Sequence, residues 1–378
     1  MVINGLTYDS TTKRLTLAYT SSDLTRGGTA LNPYVVQDIY DTCIANGWDV
    51  LDKKGSTYIF KEAALYVGGN TYFDISNSTL IFNDALDEYY FRCVATGAIT
   101  GDDFEILNNN NKRCYIYGAN NGLSILTKGY IKMTQNCYLR YTVFENSRFI
   151  GVALIDEQVA SLINCAATIG ATGIVLRSSS VNDGLILINS ASNFYIRELP
   201  VGAGVELRNV TIIGDGKHLY YRLDKFDNEL AIIDCNINPE SYDVYQTNGY
   251  NCTTQFITTF RWKFDADVKV YDKDENLIID KTVAMDDEDE VIFCEHHLLT
   301  GGRTADVEVR YKQPFKVVVS KKGFETIAIL DNEVVLGQKT VIRAELKKAI
   351  EVMATNKGIA IKANKTNYGK NRDFAIIP

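Results

Sequence analysis

Leu162-Ile163-Asn164-Cys165 and Ile232-Ile233-Asp234-Cys235 are two copies of a short pattern that recurs through the middle of the chain. The other copies are Tyr90-Phe91-Arg92-Cys93, Tyr115-Ile116-Tyr117-Gly118, Tyr138-Leu139-Arg140-Tyr141, Leu187-Ile188-Asn189-Ser190 and Glu206-Leu207-Arg208-Asn209. The second positions form an apolar column with spacings of 25, 23, 24, 25, 19 and 26 residues. The third positions are polar or large and the fourth are mostly small, and this alternation is typical of β-strands.

Like residues that recur at such spacings favour a solenoid, in which each coil forms hydrogen bonds with the coils before and after it. Asn- and Gly-rich stretches at 108–111, 120–122 and 170–173 supply corners, since Asn and Gly tolerate positive φ. The sequence therefore predicts an all-β protein with a parallel β-helix at its centre. An antiparallel β-sandwich with coincidental spacing is the alternative.

A single amphipathic helix is predicted before the repeat. Asn32 is the expected N-cap, Pro33 the first helical residue and Gly47 the stop signal. The apolar residues with helical spacing are Val35, Val36, Ile39, Tyr40, Cys43 and Ile44. We expect this helix to cover the open strand edges at one end of the solenoid, and Gly55-Ser56-Thr57-Tyr58-Ile59 to begin the strands.

The order of helix, Gly-Thr-Tyr-like strand and irregular β coils, over roughly residues 33–260, resembles the pectate-lyase-like superfamily and the bodies of phage tailspikes. The resemblance implies a right-handed, single-stranded parallel β-helix with an N-terminal capping helix.

The character of the sequence changes near Arg261. Asp265 to Tyr271 alternates between polar and apolar residues, 272–276 is a polar turn, and Leu277 to Val283 is predicted as the returning strand of a hairpin. Residues 314–325 resemble the transthyretin-like (carboxypeptidase-regulatory-like) β-sandwich. In that family an aromatic residue after a Lys-x-Gly turn fills the core, and Gly323-Phe324 matches it. The resemblance covers about 261–348 and implies an Ig/transthyretin-like sandwich without chemistry of its own.

Four parts are therefore predicted: 1–50 with the capping helix, 51–260 as the β-helix, 261–348 as the sandwich and 349–378 as a basic tail. The tail is rich in lysine, and two interpretations stay open for it. It is an arm that docks on an acidic neighbour, or it is a short extra hairpin or solvated end.

The net charge and the cysteines indicate which partners the protein binds and in which compartment it is assembled. The 47 acidic and 39 basic residues give a net charge of −8, which offers no general attraction to nucleic acid or to an anionic membrane. No stretch has the apolar length of a membrane span, and no secretory signal is visible at the N-terminus, so we expect assembly in a cytoplasm. The eight cysteines form no CxxC pair and are predicted to be buried free thiols.

Few residues suggest catalysis, and no phosphate loop, GxSxG or HExxH motif is present. The acidic run 286–290 and His296-His297 are interpreted as a solvated loop and a turn, so neither a metal site nor a cofactor is expected. Glycan-cleaving β-helices use carboxylates on one face. The available candidates are Asp102-Asp103, Asp156-Glu157 and Asp183. Of these, Asp156 and Asp183 are 27 residues apart, a separation that could stack them on neighbouring coils.

A long insertion between Leu207 and Ile233 is the predicted contact loop. Its candidate binding residues are His218, Tyr220, Tyr221 and Arg222, a combination of charge and aromatic rings typical of protruding binding loops. The alternative is that Tyr220 or Tyr221 packs within its own coil.

These features together favour a non-catalytic structural or adhesive component of a bacteriophage particle: a fibre, a spike or a capsid or tail appendage. Such a component is assembled in the host cytoplasm and resides in the virion. Its expected partners are other virion proteins and a host surface glycan, but neither nucleic acid nor a membrane interior; resemblance to phage appendages implies a homotrimer. The alternative function is a β-helical polysaccharide depolymerase.

Overall fold

The structure of the protein is a computed structural model. It describes residues 2–23, 27–83, 86–95, 97–108, 110–118, 124–188, 194–213, 219–223, 225, 227–236, 242–246, 253–292, 295–298, 305–308, 313–334, 339–349, 351–355 and 358–362. The chain divides into two compact units. The first comprises Met1–Thr258, Ile292–Arg310 and Leu336–Gln338, and the second comprises Thr259–Val291, Tyr311–Val335 and Lys339–Pro378.

Strands dominate the described residues, and the predicted all-β class is confirmed. Up to residue 262 the elements are β1 (Leu6–Asp9), β2 (Arg14–Ala18), a 3₁₀ turn (Ser21–Asp23), β3 (Tyr34–Val35), α1 (Val36–Ala45), β4 (Leu51–Lys54), β5 (Thr57–Phe60), β6 (Ala64–Gly69), β7 (Tyr72–Asp74), β8 (Thr79–Phe82), β9 (Tyr89–Ala95), β10 (Ala98–Asp102), β11 (Glu105–Asn108), β12 (Arg113–Tyr117), β13 (Ser124–Thr127), β14 (Tyr130–Lys132), β15 (Cys137–Glu145), β16 (Arg148–Ile163), β17 (Ala166–Leu176), β18 (Ser180–Asp183), β19 (Ile186–Ile188), β20 (Phe194–Ile196), β21 (Gly204–Arg208), β22 (Thr211–Ile213), β23 (Leu219–Leu223), β24 (Glu229–Ile233), β25 (Tyr242–Gln246) and β26 (Thr253–Trp262).

The remaining strands are β27 (Ala266–Tyr271), β28 (Leu277–Val283), β29 (Glu288–Ile292), β30 (Glu295–Leu298), β31 (Ala305–Glu308), β32 (Gln313–Ser320), β33 (Ile327–Val334), β34 (Thr340–Ile342), β35 (Glu351–Thr355) and β36 (Gly358–Lys362). No described helix is long and apolar enough to cross a membrane.

Most strands of the large sheet of the first unit form three parallel ladders, and β1 and β4 add antiparallel pairs with β2 and β5. Ladder A runs through β2, β6, β9, β12, β15, β16, β17, β20, β23 and β25. Ladder B runs through β10, β13, β15, β16, β18, β21, β24 and β26. Ladder C runs through β5, β8, β11, β14, β16, β17, β19 and β22. From β12 onward the chain visits the ladders in the order A, B, C, and we call each such passage a coil.

Buried columns run along each ladder because paired strands place matching residues on the same face. In ladder A one inward column is Leu15, Leu65, Phe91, Cys114, Cys137, Ile155 and Ile174, and each of these side chains is buried. In ladder C, Phe60 and Phe82 pair in register, with ring centroids 4.4 Å apart. Burying side chains of this size contributes about 1.5–3 kcal/mol each, so these columns supply the core of the unit.

The corner between ladders B and C is formed by residues in the left-handed conformation. They are Asn77, Asp103, Lys128, Asn146, Asn164, Asn209 and Asp234, with φ between 50° and 55°, and Gly184, with φ of 62°. Each donates its backbone N–H to the residue just before the equivalent corner of the next coil, as Asn164 does to the Asp183 carbonyl at 2.7 Å. The corners therefore form a fourth line of hydrogen bonds between coils.

The apolar column proposed from the sequence combines residues of different ladders. Ile116 and Leu139 pair in ladder A, whereas Ile163 lies in ladder B and pairs with Glu145 and Asp183. Ile188 lies in ladder C and is 41% exposed. The reason is that every coil contributes several strands with the same alternation, so similar tetrapeptides recur at different places within a coil.

Helix α1 begins at Val36, so the predicted start at Asn32 and Pro33 is wrong. Tyr34 and Val35 are extended because they pair with strand β7, which excludes a helical backbone there. The Asp38 carboxylate accepts a hydrogen bond from the Val35 N–H at 3.0 Å and thus caps the helix from within. The predicted end is confirmed: the helix stops at Ala45, and Gly47 follows with φ of 69°.

The second unit contains an antiparallel sheet in the order β28-β27-β32-β33, and the predicted hairpin of 265–283 is confirmed. Its buried face consists of Val268, Val270, Phe315, Val317 and Val319. Phe324 is half-buried with the Lys321 ammonium 5.8 Å from its ring centroid, so the expectation that it fills the core is wrong. Gly323 has φ of 81°, and Phe324, just after it, forms an isolated antiparallel bridge with Lys348 instead of a strand of this sheet.

Two smaller predictions concern the tail and the thiols. Within the tail, β35 and β36 form a two-stranded antiparallel sheet. The six described cysteines, at 43, 93, 114, 137, 165 and 235, are buried free thiols, as predicted. Cys252 and Cys294 lie outside the described residues.

One inward position of ladder A carries a carboxyl group. Glu157 pairs with Leu139 and Leu176 and is 1% exposed. Its Oε2 lies 3.5 Å from the Asn182 Nδ2, and its Oε1 has no hydrogen-bond partner among the described residues. Burial raises the pKa of Glu157 to about 8. Burial therefore favours the protonated form of Glu157 over the carboxylate.

We expect an Asn146→Val substitution to lower the free energy of unfolding by about 1–2 kcal/mol, because β-branched residues avoid positive φ. Asn146→Gly should cost much less, since Gly adopts this conformation freely. The exposed Asn146 has φ of 51°, and the neighbouring strand residue Glu145 serves as the control through Glu145→Val. Urea denaturation measures all three variants. Equal losses at 145 and 146 would show that the corner conformation is unimportant.

Glu157 should make the fold less stable as the pH rises from about 4.5 to about 8. The pKa of Glu157 is higher in the folded than in the unfolded protein. The contribution of Glu157 to the free energy of unfolding is therefore complete below its ordinary pKa of 4.5 and is lost as the pH rises through about 8. Between these limits the free energy of unfolding of the wild type should fall, relative to that of Glu157→Gln, by about 1.4 kcal/mol per pH unit. Denaturation at several pH values measures this difference. Glu145→Gln, on the outward face, is the control, and a pH-independent difference at 157 would contradict the assignment.

Candidate functional site

The outward face of ladder A carries tyrosine and arginine side chains at successive coils. One outward column is Tyr66, Arg92, Tyr115, Tyr138 and Asp156, and the next contains Tyr117, Arg140 and Arg177. Strand alternation brings both columns to the same face because residues at i and i+2 point the same way. We call these eight residues, with Tyr89, the tyrosine–arginine face.

Aromatic stacking and cation–π contacts connect the members of this face. The rings of Tyr115 and Tyr138 are stacked, with centroids 4.7 Å apart and planes 8° from parallel. The Arg92 guanidinium lies 5.5–5.7 Å from the ring centroids of Tyr66, Tyr89 and Tyr115. That of Arg140 lies 4.8 Å from the Tyr117 centroid. Each such contact contributes roughly 0.5–1 kcal/mol at exposed sites and holds the guanidinium in place.

An ion-pair triad closes one side of the face. The Arg177 Nε lies 3.2 and 3.1 Å from the two carboxylate oxygens of Asp156, and its terminal nitrogen pairs with Glu198. The Asp156 side chain is only 13% exposed. Burial raises the pKa of Asp156 above its ordinary value, and the opposing charges of Arg177, Arg140 and Arg197 reduce this shift.

These residues enclose an open groove of about 510 Å³. Its lining residues are Tyr115, Tyr117, Tyr138, Arg140, Asp156, Arg177, Glu198 and Pro200. The groove thus offers phenol groups, guanidinium donors and carboxylate acceptors at one place. This combination suits a ligand rich in hydroxyl groups, which can both donate and accept hydrogen bonds.

Asp156 and Asp183, the carboxylates predicted to stack, lie on different ladders. Asp156 belongs to ladder A and pairs with Tyr138 and Val175. Asp183 belongs to ladder B, pairs with Ile163 and accepts a hydrogen bond from the Asn209 Nδ2 at 2.9 Å. Their spacing of 27 residues is close to one coil but ends one strand further along it. The structure therefore does not bring the two carboxylates together in register.

The predicted contact residues Tyr220, Tyr221 and Arg222 lie in β23, which continues ladder A beyond β20. Tyr220 pairs with Tyr195, so its register position follows the same outward column as Tyr138. Of this segment only the backbone is described, and His218 lies outside the described residues. The predicted contact residues thus lie on the ladder that carries the groove, but in later coils than the groove itself.

The sequence did not predict four residues of the groove, although they belong to two copies of the repeat: Tyr115, Tyr117, Tyr138 and Arg140. A signal was present: Tyr-x-Tyr at 115–117 and Tyr-x-Arg at 138–140 place large polar residues on one face of two strands 23 residues apart. Without the register it could not be known that these two strands are neighbours.

A second depression, of about 430 Å³, lies along ladder B. Its lining residues include Ser161, Ser179, Val181, Gly204, Glu206, Glu229 and Gln255. Glu206 is paired with the Arg208 guanidinium at 3.0 Å, and no aromatic side chain lines the depression. Among the described residues, no cluster of His, Cys, Asp and Glu could hold a metal ion.

Comparison with protein-family models, with curated proteins and with solved structures found no match to this chain.

The Asp156–Arg177 pair should show strong coupling. Arg177→Gln leaves the nearly buried Asp156 without its closest cation, and we expect it to lower the free energy of unfolding by about 1–2 kcal/mol at pH 7. Asp156→Asn combined with Arg177→Gln should be less damaging than the two separate losses added together. Chemical denaturation of the four proteins of this cycle measures the coupling. Strictly additive losses would mean that the pair is merely a solvated contact.

Proposed function

We propose that this chain is a non-catalytic, glycan-binding structural component of a bacteriophage particle, such as a fibre, a spike or a capsid or tail appendage. The observation that carries the proposal is the groove on the tyrosine–arginine face. Its tyrosines, Arg140 and Asp156 lie on strands of ladder A, and Arg177 and Glu198 lie just past the ends of β17 and β20 and are joined by an ion pair. These groups are therefore held in place before a ligand arrives.

The dimensions and chemistry of the groove support a saccharide ligand. A volume of about 510 Å³ admits one or two sugar rings and is within the range of small-molecule sites. Tyr138 accepts a hydrogen bond from the Asn136 Nδ2 at 3.1 Å, so its own O–H can donate to a sugar hydroxyl. Because the ladder continues through further coils, a polymer can extend along it beyond the groove.

Binding without cleavage fits the carboxylates better than hydrolysis does. Glycoside hydrolysis uses two carboxyl groups that flank one bond. Asp156 is held by Arg177, and Glu157, its neighbour in sequence, points into the core. Asp183 lies on ladder B. The groove thus offers a sugar one carboxylate locked in an ion pair and a second, Glu198, that shares the same arginine.

The architecture supports the phage setting. We infer that the three ladders are the faces of a right-handed parallel β-helix, since parallel crossovers within a sheet are almost always right-handed. We further infer that the second unit is an Ig/transthyretin-like sandwich. A stiff solenoid joined to a sandwich is the form of phage appendages by the resemblance stated above. In that setting the chain forms a homotrimer, attaches to other virion proteins and resides in the virion.

The test is binding of the full chain to a panel of purified bacterial surface polysaccharides, measured by biolayer interferometry. We expect at least one to bind and Tyr138→Ala to weaken that binding about tenfold or more, since the variant removes one wall of the groove and its hydroxyl donor. Tyr130→Ala, on the outward face of ladder C, is the matched control.

The same samples are assayed for new reducing ends and for unsaturated sugar products. We expect neither after prolonged incubation. Cleavage that disappears in Asp156→Asn would replace the proposed binding function with that of a depolymerase. Binding that survives Tyr138→Ala unchanged would place the ligand elsewhere on the molecule.

A further inference from the structure

The charge on the tyrosine–arginine face is opposite to that of the whole chain. Five arginines lie on outward positions of ladder A between β9 and the residue after β20: Arg92, Arg113, Arg140, Arg177 and Arg197. The carboxylates beside them include Asp156, Glu198 and Glu88, the last of which acts on Arg113, so five positive charges face three negative ones. This local excess is built into a protein with a net charge of −8. An anionic group is attracted to this face while the remaining surface repels it.

Arg140 is the arginine best placed to bind that group. Arg177 is occupied by Asp156 and Glu198. Arg140 lines the groove, is exposed, and forms no ion pair with a carboxylate of the described residues. Its guanidinium is held above the Tyr117 ring at 4.8 Å, so little side-chain freedom is lost when it binds. The edge of a planar guanidinium matches a carboxylate with two parallel hydrogen bonds.

The tyrosine rings distinguish an acidic sugar from a nucleic acid. Stacking of bases requires open ring faces. Here Tyr115 and Tyr138 cover one face of each other, Arg92 lies over Tyr115, and Arg140 lies over Tyr117. These contacts already occupy ring faces of Tyr115, Tyr117 and Tyr138, which leaves fewer open faces for bases, whereas the phenol hydroxyl groups suit sugar hydroxyls.

We propose that the groove selects a glycan residue that carries a carboxylate, such as a uronic or a sialic acid, and that Arg140 is the group that recognises it. This inference rests on the proposed glycan-binding function and names the ligand class of the same site. No bond is formed or broken in it. The carboxylate exchanges its water shell for the Arg140 fork, while neighbouring hydroxyls bind the phenols and the Asp156–Arg177 pair.

The experiment pairs acidic polysaccharides with their own neutral forms. Alginate, polygalacturonate, hyaluronan and polysialic acid are each tested against the full chain beside the carboxyl-reduced polymer, by biolayer interferometry at 50 and 300 mM NaCl. We expect at least one acidic polymer to bind at least tenfold more tightly than its reduced form. Arg140→Gln should abolish that preference, and Lys132→Gln should not. Lys132→Gln removes the same charge from an exposed position of ladder C. Thermal melts establish that both variants are folded.

Each other outcome contradicts either the carboxylate selection alone or the glycan-binding function as well. Equal binding of acidic and reduced polymers, or equal losses in Arg140→Gln and Lys132→Gln, would overturn the carboxylate selection and leave the glycan-binding function standing. Binding of none of these polymers, with binding of a neutral polysaccharide in the surface panel, would do the same. No polysaccharide binding at all would overturn both proposals. Tight binding of an oligothymidylate that Arg140→Gln weakens would assign the face to a single-stranded nucleic acid instead.

Discussion

Parallel hydrogen bonding between successive coils is the constraint on which the rest of the first unit depends. A parallel ladder leaves no choice of side-chain direction: once Ile116 pairs with Leu139, the paired residues on either side of them are assigned to the core or to the surface. The left-handed corners add a hydrogen bond per coil at a position where the chain must change direction, as Asn146 does toward Ile163. Successive corners are 18 to 26 residues apart, so the coils tolerate changes of length only between their strands.

The same register builds the groove. Strands of a sheet lie about 4.8 Å apart, and the Tyr115 and Tyr138 rings stack at 4.7 Å because their backbones are neighbours. Arg92 and Arg140 then lie against rings that cannot move away. Backbone pairing therefore holds the tyrosines and arginines of this face in position.

Register also explains why two adjacent carboxyl groups behave differently. Asp156 is outward and has an arginine beside it, whereas Glu157 is inward and lies between Leu139 and Leu176 in the ladder. Burial dominates at Glu157 and raises its pKa to about 8, since only one long contact with Asn182 opposes it. Strand alternation places these neighbours on opposite faces, one beside the groove and the other in the core.

The sequence by itself determined the all-β class, the alternation within each strand, the hairpin of 265–283 and the burial of the described cysteines, because these depend on residues that are close together in the chain. The tertiary structure alone decided which strands are neighbours. Phe91 pairs with Cys114 rather than with Ile116, and Ile163 and Ile188 belong to ladders other than that of Leu139. It also moved the start of the helix to Val36, through pairing of Val35 with Asp74. The physical reason is that every coil repeats the same alternation on each of its strands. Hydrogen bonds between residues about 20 positions apart choose the register, and that register places Tyr115, Tyr138 and Arg140 around one groove.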